Sequence, residues 1–335
     1  MIHIFENILN ATIVSNIIIC IFILLKASLF KSLNKKFNYY IWLIVIFKML
    51  FFMFTYSVFV EDKDFIDKIY NYNNLLPTNN TTLFSLSLIW LFVAIILVGR
   101  TFINYFKEKN ILIDLSEEID NIEINSIFEH LKTELNIKQK ITLRFSYDIS
   151  SPCVVGLFKP YVLLTDNYNM IEFYWVLKYE LTHVKNKDNL IKFTMAFLRC
   201  LYWFNPFVYL MSKKVSEDCE LYCDEKVIYN KSLEEHRLYG LTLIASSKLR
   251  NTDNEMLITE FYKTNLEKRL DNIVCRKTKK GFLIALILCL LSTMTYLRFN
   301  FISSNIISYP LQKQVPIQNK NNSKPKYQFN VHVDD

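Results

Sequence analysis

The chain has 335 residues, of which 52% are apolar and 21% are charged, and its formal net charge is +7. This apolar content excludes an intrinsically disordered protein, because such chains lack the apolar surface needed for a core. The four glycines lie far apart, at Gly99, Gly156, Gly240 and Gly281. Nucleotide binding through a G-x-G-x-x-G turn or a P-loop is therefore excluded, since both motifs need closely spaced glycines.

Four apolar stretches predict transmembrane helices. Three of them, residues 7–25, 81–99 and 281–297, contain no charged residue. The fourth, residues 37–60, is interrupted only by Lys48. Two roles are open for Lys48: a base turned toward the other helices or an interface, or a partner for a carboxylate. The sequence thus predicts an α-helical, multi-pass membrane protein.

The charges in the loops predict the orientation of these helices. Residues 26–36 carry lysines and no acid, and residues 100–109 and 276–280 also carry more bases than acids. The loop at 61–67 is acidic instead. Because positively charged loops stay on the cytoplasmic side, we expect both termini outside a plasma membrane and residues 106–280 in the cytoplasm. The excess positive charge of the chain lies in these loops, beside the predicted membrane, so direct binding to nucleic acid is not expected.

The chain is thereby divided into four predicted parts. Residues 1–105 contain the first three spans, and residues 106–280 form a cytoplasmic domain long enough for its own core. Residues 281–297 form the fourth span, and residues 298–335 form a short, flexible extracellular tail. The tail is too short to be a folded sensor domain.

The cytoplasmic domain shows both helix and strand patterns. Apolar residues recur at helical spacing over 127–135, whereas residues 141–147 alternate like a strand. Residues 154–155 and 161–164 predict two more short strands. The domain is therefore predicted to be α+β, with a small sheet ahead of a helical region.

The apolar stretch 190–211 has two possible placements. It is interrupted by Lys192, Arg199 and Pro206, so it is a poor transmembrane span. Either it forms an amphipathic or hairpin segment at the inner membrane surface, or it is a buried core helix of the domain.

A helical segment beginning at Ile171 contains the sequence Y-E-L-T-H. A zinc-binding helix reads H-E-x-x-H, because histidines one turn apart bind one ion and the glutamate activates a metal-bound water. Glu180 and His183 match this pattern, and Tyr179 stands where the first histidine is expected. Alone, this match is weak evidence for a metal site.

A second motif, E-x-x-x-D, follows at Glu220 and Asp224, 37 residues after His183. Glutamate-type zinc proteases use such a helix to supply the third ligand and a carboxylate that braces a ligand histidine. Cys223 is an alternative source of a ligand, although a small buried side chain between helices is the commoner role for such a cysteine. The two motifs together make a degenerate zinc site the leading hypothesis.

With these motifs the sequence resembles the integral-membrane metallopeptidases related to the beta-lactam-sensing signal transducers of Gram-positive bacteria. The resemblance covers about residues 1–298 and implies a zincin-like fold for the domain between the third and fourth spans. It rests on Ser151–Leu164, the Y-E-L-T-H helix, Asp188–Lys192, Trp203–Pro206 and Asp218–Glu225.

The resemblance implies roles for the motif residues. His183 and Glu220 would be zinc ligands, Glu180 the general base, and Asp224 the bracing carboxylate. Tyr179 departs from the family pattern, because a phenol with an ordinary pKa of about 10 must ionise before it binds zinc. We therefore expect that zinc is lost or weakly bound, and that the Tyr179 hydroxyl donates a hydrogen bond to Asp224.

Two functions remain open. We favour a signal-transduction pseudoprotease that binds a cytosolic protein or peptide without cutting it. The alternative is an active zinc endopeptidase that cleaves a cytosolic repressor, or itself, to regulate gene expression. The resemblance suggests a transcriptional repressor as the partner and regulation of an antibiotic response as the setting. The short tail leads us to expect no direct beta-lactam sensing.

Overall fold

The computed structural model describes residues 2–28, 34–59, 80–250 and 256–274, which are mostly helical and include one four-stranded sheet. The helices are α1 (Ile2–Ser28), α2 (Lys35–Phe59), α3 (Asn80–Asp114), α4 (Ile122–Glu134), α5 (Met170–Asn186), α6 (Asp188–Leu201), α7 (Pro206–Val227), α8 (Leu233–Arg250) and α9 (Met256–Val274). The strands are β1 (Ser116–Glu118), β2 (Thr142–Ser146), β3 (Cys153–Val155) and β4 (Tyr161–Leu164).

Helix α3 is long and apolar enough to cross a membrane. Within the described residues it is the one helix that meets both criteria, and only 17% of its most apolar part is buried. Large apolar side chains along it are exposed, including Phe92 at 68% and Ile103 at 67%. A core helix of a soluble protein would bury such side chains, so this surface suits contact with lipid.

The other predicted spans differ in how far the structure describes them. Residues 7–25 and 37–60 largely coincide with α1 and α2, which are helices of 27 and 25 residues. The predicted fourth span, 281–297, and the predicted tail, 298–335, lie outside the described residues. The four-span layout therefore remains a prediction.

The sheet has the strand order β1-β2-β4-β3. The two central strands are parallel, with Thr142 opposite Tyr161, and β1 and β3 pair antiparallel at the two edges. The strands predicted from alternation are confirmed to within a residue at either end. Strand β1 was not predicted, because its residues are polar and too few to show alternation.

The sheet packs against α4 and α5 to form one hydrophobic core of the described residues. Leu131 of α4, Val162 of β4 and Leu177 of α5 are fully buried in it. Helix α5 begins with a capping box, in which the Asn169 side chain accepts from the Glu172 N–H and the Glu172 side chain accepts from the Asn169 N–H. The cap fixes the start of the helix that carries the Y-E-L-T-H motif.

A second core joins α1, α2 and α3 to α6 and α7. The Trp90 indole N–H donates to the Leu201 carbonyl at 2.9 Å, and the Tyr202 hydroxyl donates to the Met49 carbonyl at 3.0 Å. The stretch 190–211 is thus divided between two helices joined by a tight turn. One face of this hairpin is buried against α1–α3, and its predicted placement at the inner membrane surface stays a prediction.

Gly156 offers a test of the turn between β3 and β4. Its φ is +97°, and an added Cβ would lie 2.3 Å from the Lys159 carbonyl oxygen. We expect Gly156→Ala to lower the free energy of unfolding by about 2 kcal/mol, because the turn must deform. Unfolding of the full chain in detergent measures this.

Gly240→Ala, within helix α8, is the matched control, because the nearest atom to an added Cβ there is Leu270 Cδ2 at 3.8 Å. It should leave stability unchanged or raise it by up to about 1 kcal/mol. Equal losses in the two variants would contradict the strained turn.

Candidate metal centre

Helices α5 and α7 bring the two sequence motifs together. The His183 Nε2 atom lies 3.9 Å from Glu220 Oε2, and the Tyr179 hydroxyl donates a hydrogen bond to the same oxygen. The rings of Tyr179 and His183 contact each other edge to face, with centroids 4.5 Å apart. This arrangement follows from their spacing of four residues, which places both rings on one face of α5.

A cavity of about 220 Å3 opens beside these residues. Tyr179, Glu180 and Glu220 all line it, and Glu180 is only 6% exposed. Other lining side chains come from the segment before β3 and from α8 and α9, and many carry hydroxyls, such as Ser151 and Thr242. Three of the predicted site residues, Tyr179, Glu180 and Glu220, therefore line one cavity, whereas His183 and Asp224 are not among its lining residues.

The orientation of His183 is set by Asp188, which had no predicted role. The distance between His183 Nδ1 and Asp188 Oδ2 is 2.6 Å, and the other Asp188 oxygen accepts a hydrogen bond from the Tyr39 hydroxyl at 2.6 Å. Lys187 makes this possible, because its left-handed conformation (φ 59°) ends α5 and starts α6. With a proton held on Nδ1, the imidazole presents Nε2 toward Glu220.

The predicted hydrogen bond from Tyr179 to Asp224 is wrong, since Tyr179 donates to Glu220. Asp224 is fully buried and accepts from the Tyr239 hydroxyl at 2.6 Å. It also accepts from Arg269 Nε at 2.9 Å and Nη2 at 2.7 Å. The guanidinium of α9 thus satisfies the carboxylate to which a bracing role was assigned.

Positive charges surround Glu220. Lys192 Nζ lies 3.5 Å from Oε1, and Arg269 Nη1 lies 3.4 Å from Oε2. Burial alone would raise the pKa of Glu220, but Lys192, His183 and Arg269 outweigh burial and hold that pKa below its usual range. The Arg269 guanidinium also lies over the Tyr179 ring, 4.9 Å from its centroid. Glu220 is therefore ionised and already compensated by the protein's own cations.

Of the three expected zinc-ligand positions, two hold residues that can bind zinc and the third, Tyr179, does not. His183 Nε2 and Glu220 Oε2 are close to the separation of roughly 3.3 Å between two ligands of a tetrahedral zinc ion. Tyr179 is the misfit, because burial raises the pKa of its phenol well above the usual value and only Arg269 opposes that shift. Its hydroxyl proton is donated to the oxygen that an ion would need.

Two cysteines lie nearby, and neither supplies the missing ligand. The Cys223 thiol lies 3.6 Å from the Tyr179 carbonyl oxygen, is fully buried, and has its pKa raised by burial. Cys219 forms, with His183 and Asp188, a group that has metal-ligand spacing. An ion there would have to break the hydrogen bond between His183 and Asp188 and bind a thiol whose pKa burial also raises.

Comparison with known proteins places these motifs in a family. The sequence pattern of the family described as BlaR1 peptidase M56 matches residues 6–273. The chain is 28% identical over 203 residues to regulatory protein BlaR1 of Bacillus licheniformis, which covers 59% of this chain and 34% of that protein. It is 24% identical over 234 residues to the methicillin resistance mecR1 protein of Staphylococcus aureus, covering 66% and 39%. The chain thus spans well under half of the length of these relatives.

Arg269→Gln tests the charge cluster. The variant leaves the carboxylate of Asp224 buried with Tyr239 as its remaining donor, so we expect the free energy of unfolding to fall by about 3 kcal/mol. The control is Lys268→Gln, whose side chain is 54% exposed and 3.8 Å from Glu217. That change should alter stability by less than about 1 kcal/mol. Similar losses in thermal unfolding of both variants would rule out a special role for Arg269.

Proposed function

Because the chain belongs to the BlaR1 peptidase M56 family, we propose that it is a multi-pass membrane protein of signal transduction that keeps the peptidase fold without zinc-dependent hydrolysis. Its relatives bear the names of regulatory and methicillin-resistance proteins. A regulatory role for this chain is supported by that similarity and by the site described above.

The observation that carries the proposal is the hydrogen bond from Tyr179 to Glu220. This bond occupies the oxygen that would face a metal ion, and Lys192 and Arg269 supply positive charge beside the same carboxylate. Zinc is then unnecessary for keeping Glu220 ionised, and an unionised phenol disfavours its binding. We propose that the site binds zinc weakly or not at all.

The proposed partner is a cytosolic protein or peptide, with a transcriptional repressor as the first candidate from the family resemblance. The cavity beside Glu180 supports a peptide, because Ser151 and Pro152 line it just before β3, which is an outer strand of the sheet. An extended peptide can pair with such an edge while a side chain enters the cavity. Binding of this kind needs no hydrolysis.

The proposed topology has four spans in the plasma membrane, both termini outside, and residues 106–280 in the cytoplasm. Two observations support it: the basic segments at 26–36 and 100–109, and the exposed apolar surface of α3.

The second candidate function is an active zinc endopeptidase. It is favoured by three retained features: Glu180 at the cavity, His183 oriented by Asp188, and an ionised Glu220. Glu180 would then act as the general base.

Metal analysis of the purified chain separates the two functions. We expect essentially no zinc in the unaltered protein and close to one ion per chain in Tyr179→His, because neutral imidazole binds zinc without ionising. Elemental mass spectrometry measures the content. Tyr174→His, a matched change on the same helix but outside the cavity lining, should stay metal-free. Near-stoichiometric zinc in the unaltered protein would refute the pseudoprotease.

Glu180→Gln gives a second, independent test. Some genes will change in expression when the protein is deleted. Under our proposal these genes should be expressed in the Glu180→Gln variant as they are with the unaltered protein, because no proton transfer is required. An active peptidase would lose at least about 100-fold in cleavage rate and its regulatory output with it. Glu234→Gln, an exposed change on α8, controls for loss of a carboxylate. Loss of output in Glu180→Gln alone would favour the endopeptidase.

A further inference from the structure

A second cavity adjoins the one beside Glu180, with Ser216 and Asn265 lining both, and several basic side chains line it. It has a volume of about 400 Å3 and is bordered by α6, α7 and Asn265 of α9. Lys192 and Arg199 line it from α6, and Lys213 lines it from α7. The hydroxyls of Ser212 and Ser216 complete its polar surface. This combination of cations and hydroxyl donors is typical of a site for a phosphate group.

One carboxylate also lines the cavity, that of Glu217. Its Oε2 atom lies 2.9 Å from Lys214 Nζ and 3.8 Å from Lys268 Nζ. These two lysines are outside the cavity lining, so they balance the charge of Glu217 without using the three cations that face the cavity. The side chains that line the cavity thus carry three positive charges and one negative charge, and Lys192 is shared with Glu220.

The cavity lies near the end of the charge-free stretch of α3. The Thr101 hydroxyl is 3.2 Å from the Cys200 sulfur, and Thr101 comes directly after the charge-free stretch of α3. Leu201 is deeper, since its carbonyl accepts from Trp90 in the middle of that stretch. Arg199, the neighbour of Cys200, is thus placed near the phosphate groups of the inner leaflet if α3 crosses the membrane.

The residues at the rim of the cavity are also of the types found at the surface of a lipid bilayer. Tyr209 is 46% exposed there, and its hydroxyl donates to the Trp203 carbonyl at 3.1 Å. Leu210, the next residue, is 40% exposed. A tyrosine with a bonded hydroxyl and an exposed ring, next to an exposed leucine, is typical of the boundary between headgroups and acyl chains.

We propose that this cavity binds the phosphate group of an anionic phospholipid from the cytoplasmic leaflet. Arg199 and Lys213 bind the phosphate oxygens, the serine hydroxyls donate to them, and the glycerol and acyl chains extend past Tyr209 into the bilayer. The inference rests on the membrane placement in the proposed function and does not depend on whether the chain binds zinc.

The proposed lipid site shares one residue with the candidate metal centre. Lys192 lines the cavity and also lies 3.5 Å from Glu220 Oε1. A bound phosphate attracts the same ammonium group, so it competes with Glu220 for that charge. Lipid composition is thereby connected to the polar cluster beside the peptide cavity.

Binding of a soluble short-chain lipid to the full chain in a non-ionic detergent tests the proposal. Calorimetric titration with dioctanoyl phosphatidylglycerol should show one site, and dioctanoyl phosphatidylcholine or inorganic phosphate should bind far more weakly. Arg199→Gln and Lys213→Gln should each weaken phosphatidylglycerol binding about fivefold, and the double variant about 25-fold, from roughly 1 kcal/mol per charge. Both side chains are exposed, so their replacement should not affect folding.

Arg237→Gln is the matched control, since Arg237 is 72% exposed on α8 and does not line the cavity. It should bind phosphatidylglycerol like the unaltered protein. The proposal is overturned if the double variant binds the lipid as tightly as the unaltered protein, if Arg237→Gln has the same effect, or if inorganic phosphate displaces the lipid at equal concentration. None of these outcomes depends on zinc content or on Glu180, so they leave the pseudoprotease to be judged separately.

Discussion

The buried carboxylate of Asp188 accepts hydrogen bonds from Tyr39 in α2 and from His183 in α5. Leaving a buried carboxylate without such donors costs on the order of 3 kcal/mol or more, so neither bond is easily given up. The ring of His183 and the position of α2 are therefore fixed by the same group. The left-handed Lys187 brings Asp188 to this point, one residue after α5 ends. The geometry of the candidate centre thus depends on a helix that we place in the membrane.

A second consequence of burial is that every carboxylate in the centre needs a cation or several donors. Glu220 has Lys192 and Arg269, and Asp224 has Arg269 and Tyr239. In this network the side chains of Lys192 from α6 and Arg269 from α9 supply the positive charge that the buried carboxylates need. The arrangement of Glu220 and Asp224 is therefore stabilised by the protein's own cations.

The sequence predicted those features that depend on residues close together in the chain, namely strands, helix faces and short motifs. Alternation predicted β2, and the four-residue spacing of Tyr179 and His183 predicted that they share a helix face. Glu220 was predicted because the E-x-x-x-D motif follows the Y-E-L-T-H motif in the order that glutamate-type zinc proteases show. Arg269 was missed, since nothing near it in the sequence signals that α9 folds back onto Asp224. The hydrogen bond expected between Tyr179 and Asp224 was wrong for the same reason, because a guanidinium from a distant helix satisfies that carboxylate.

Asp218 shows how closely the amino-terminal helices and the catalytic-type domain are joined. It is 1% exposed, and it accepts hydrogen bonds from Lys26 of α1 and from the Trp42 indole at 2.7 Å. A shortened chain beginning near residue 106 would remove Tyr39 from Asp188 and both of these donors from Asp218, and it would uncover the apolar sides of α6 and α7. Soluble expression of the excised domain would then call for neutral replacements at both aspartates and polar ones along that surface. The amino-terminal helices are best regarded as part of the enzyme-like fold and not as a detachable anchor.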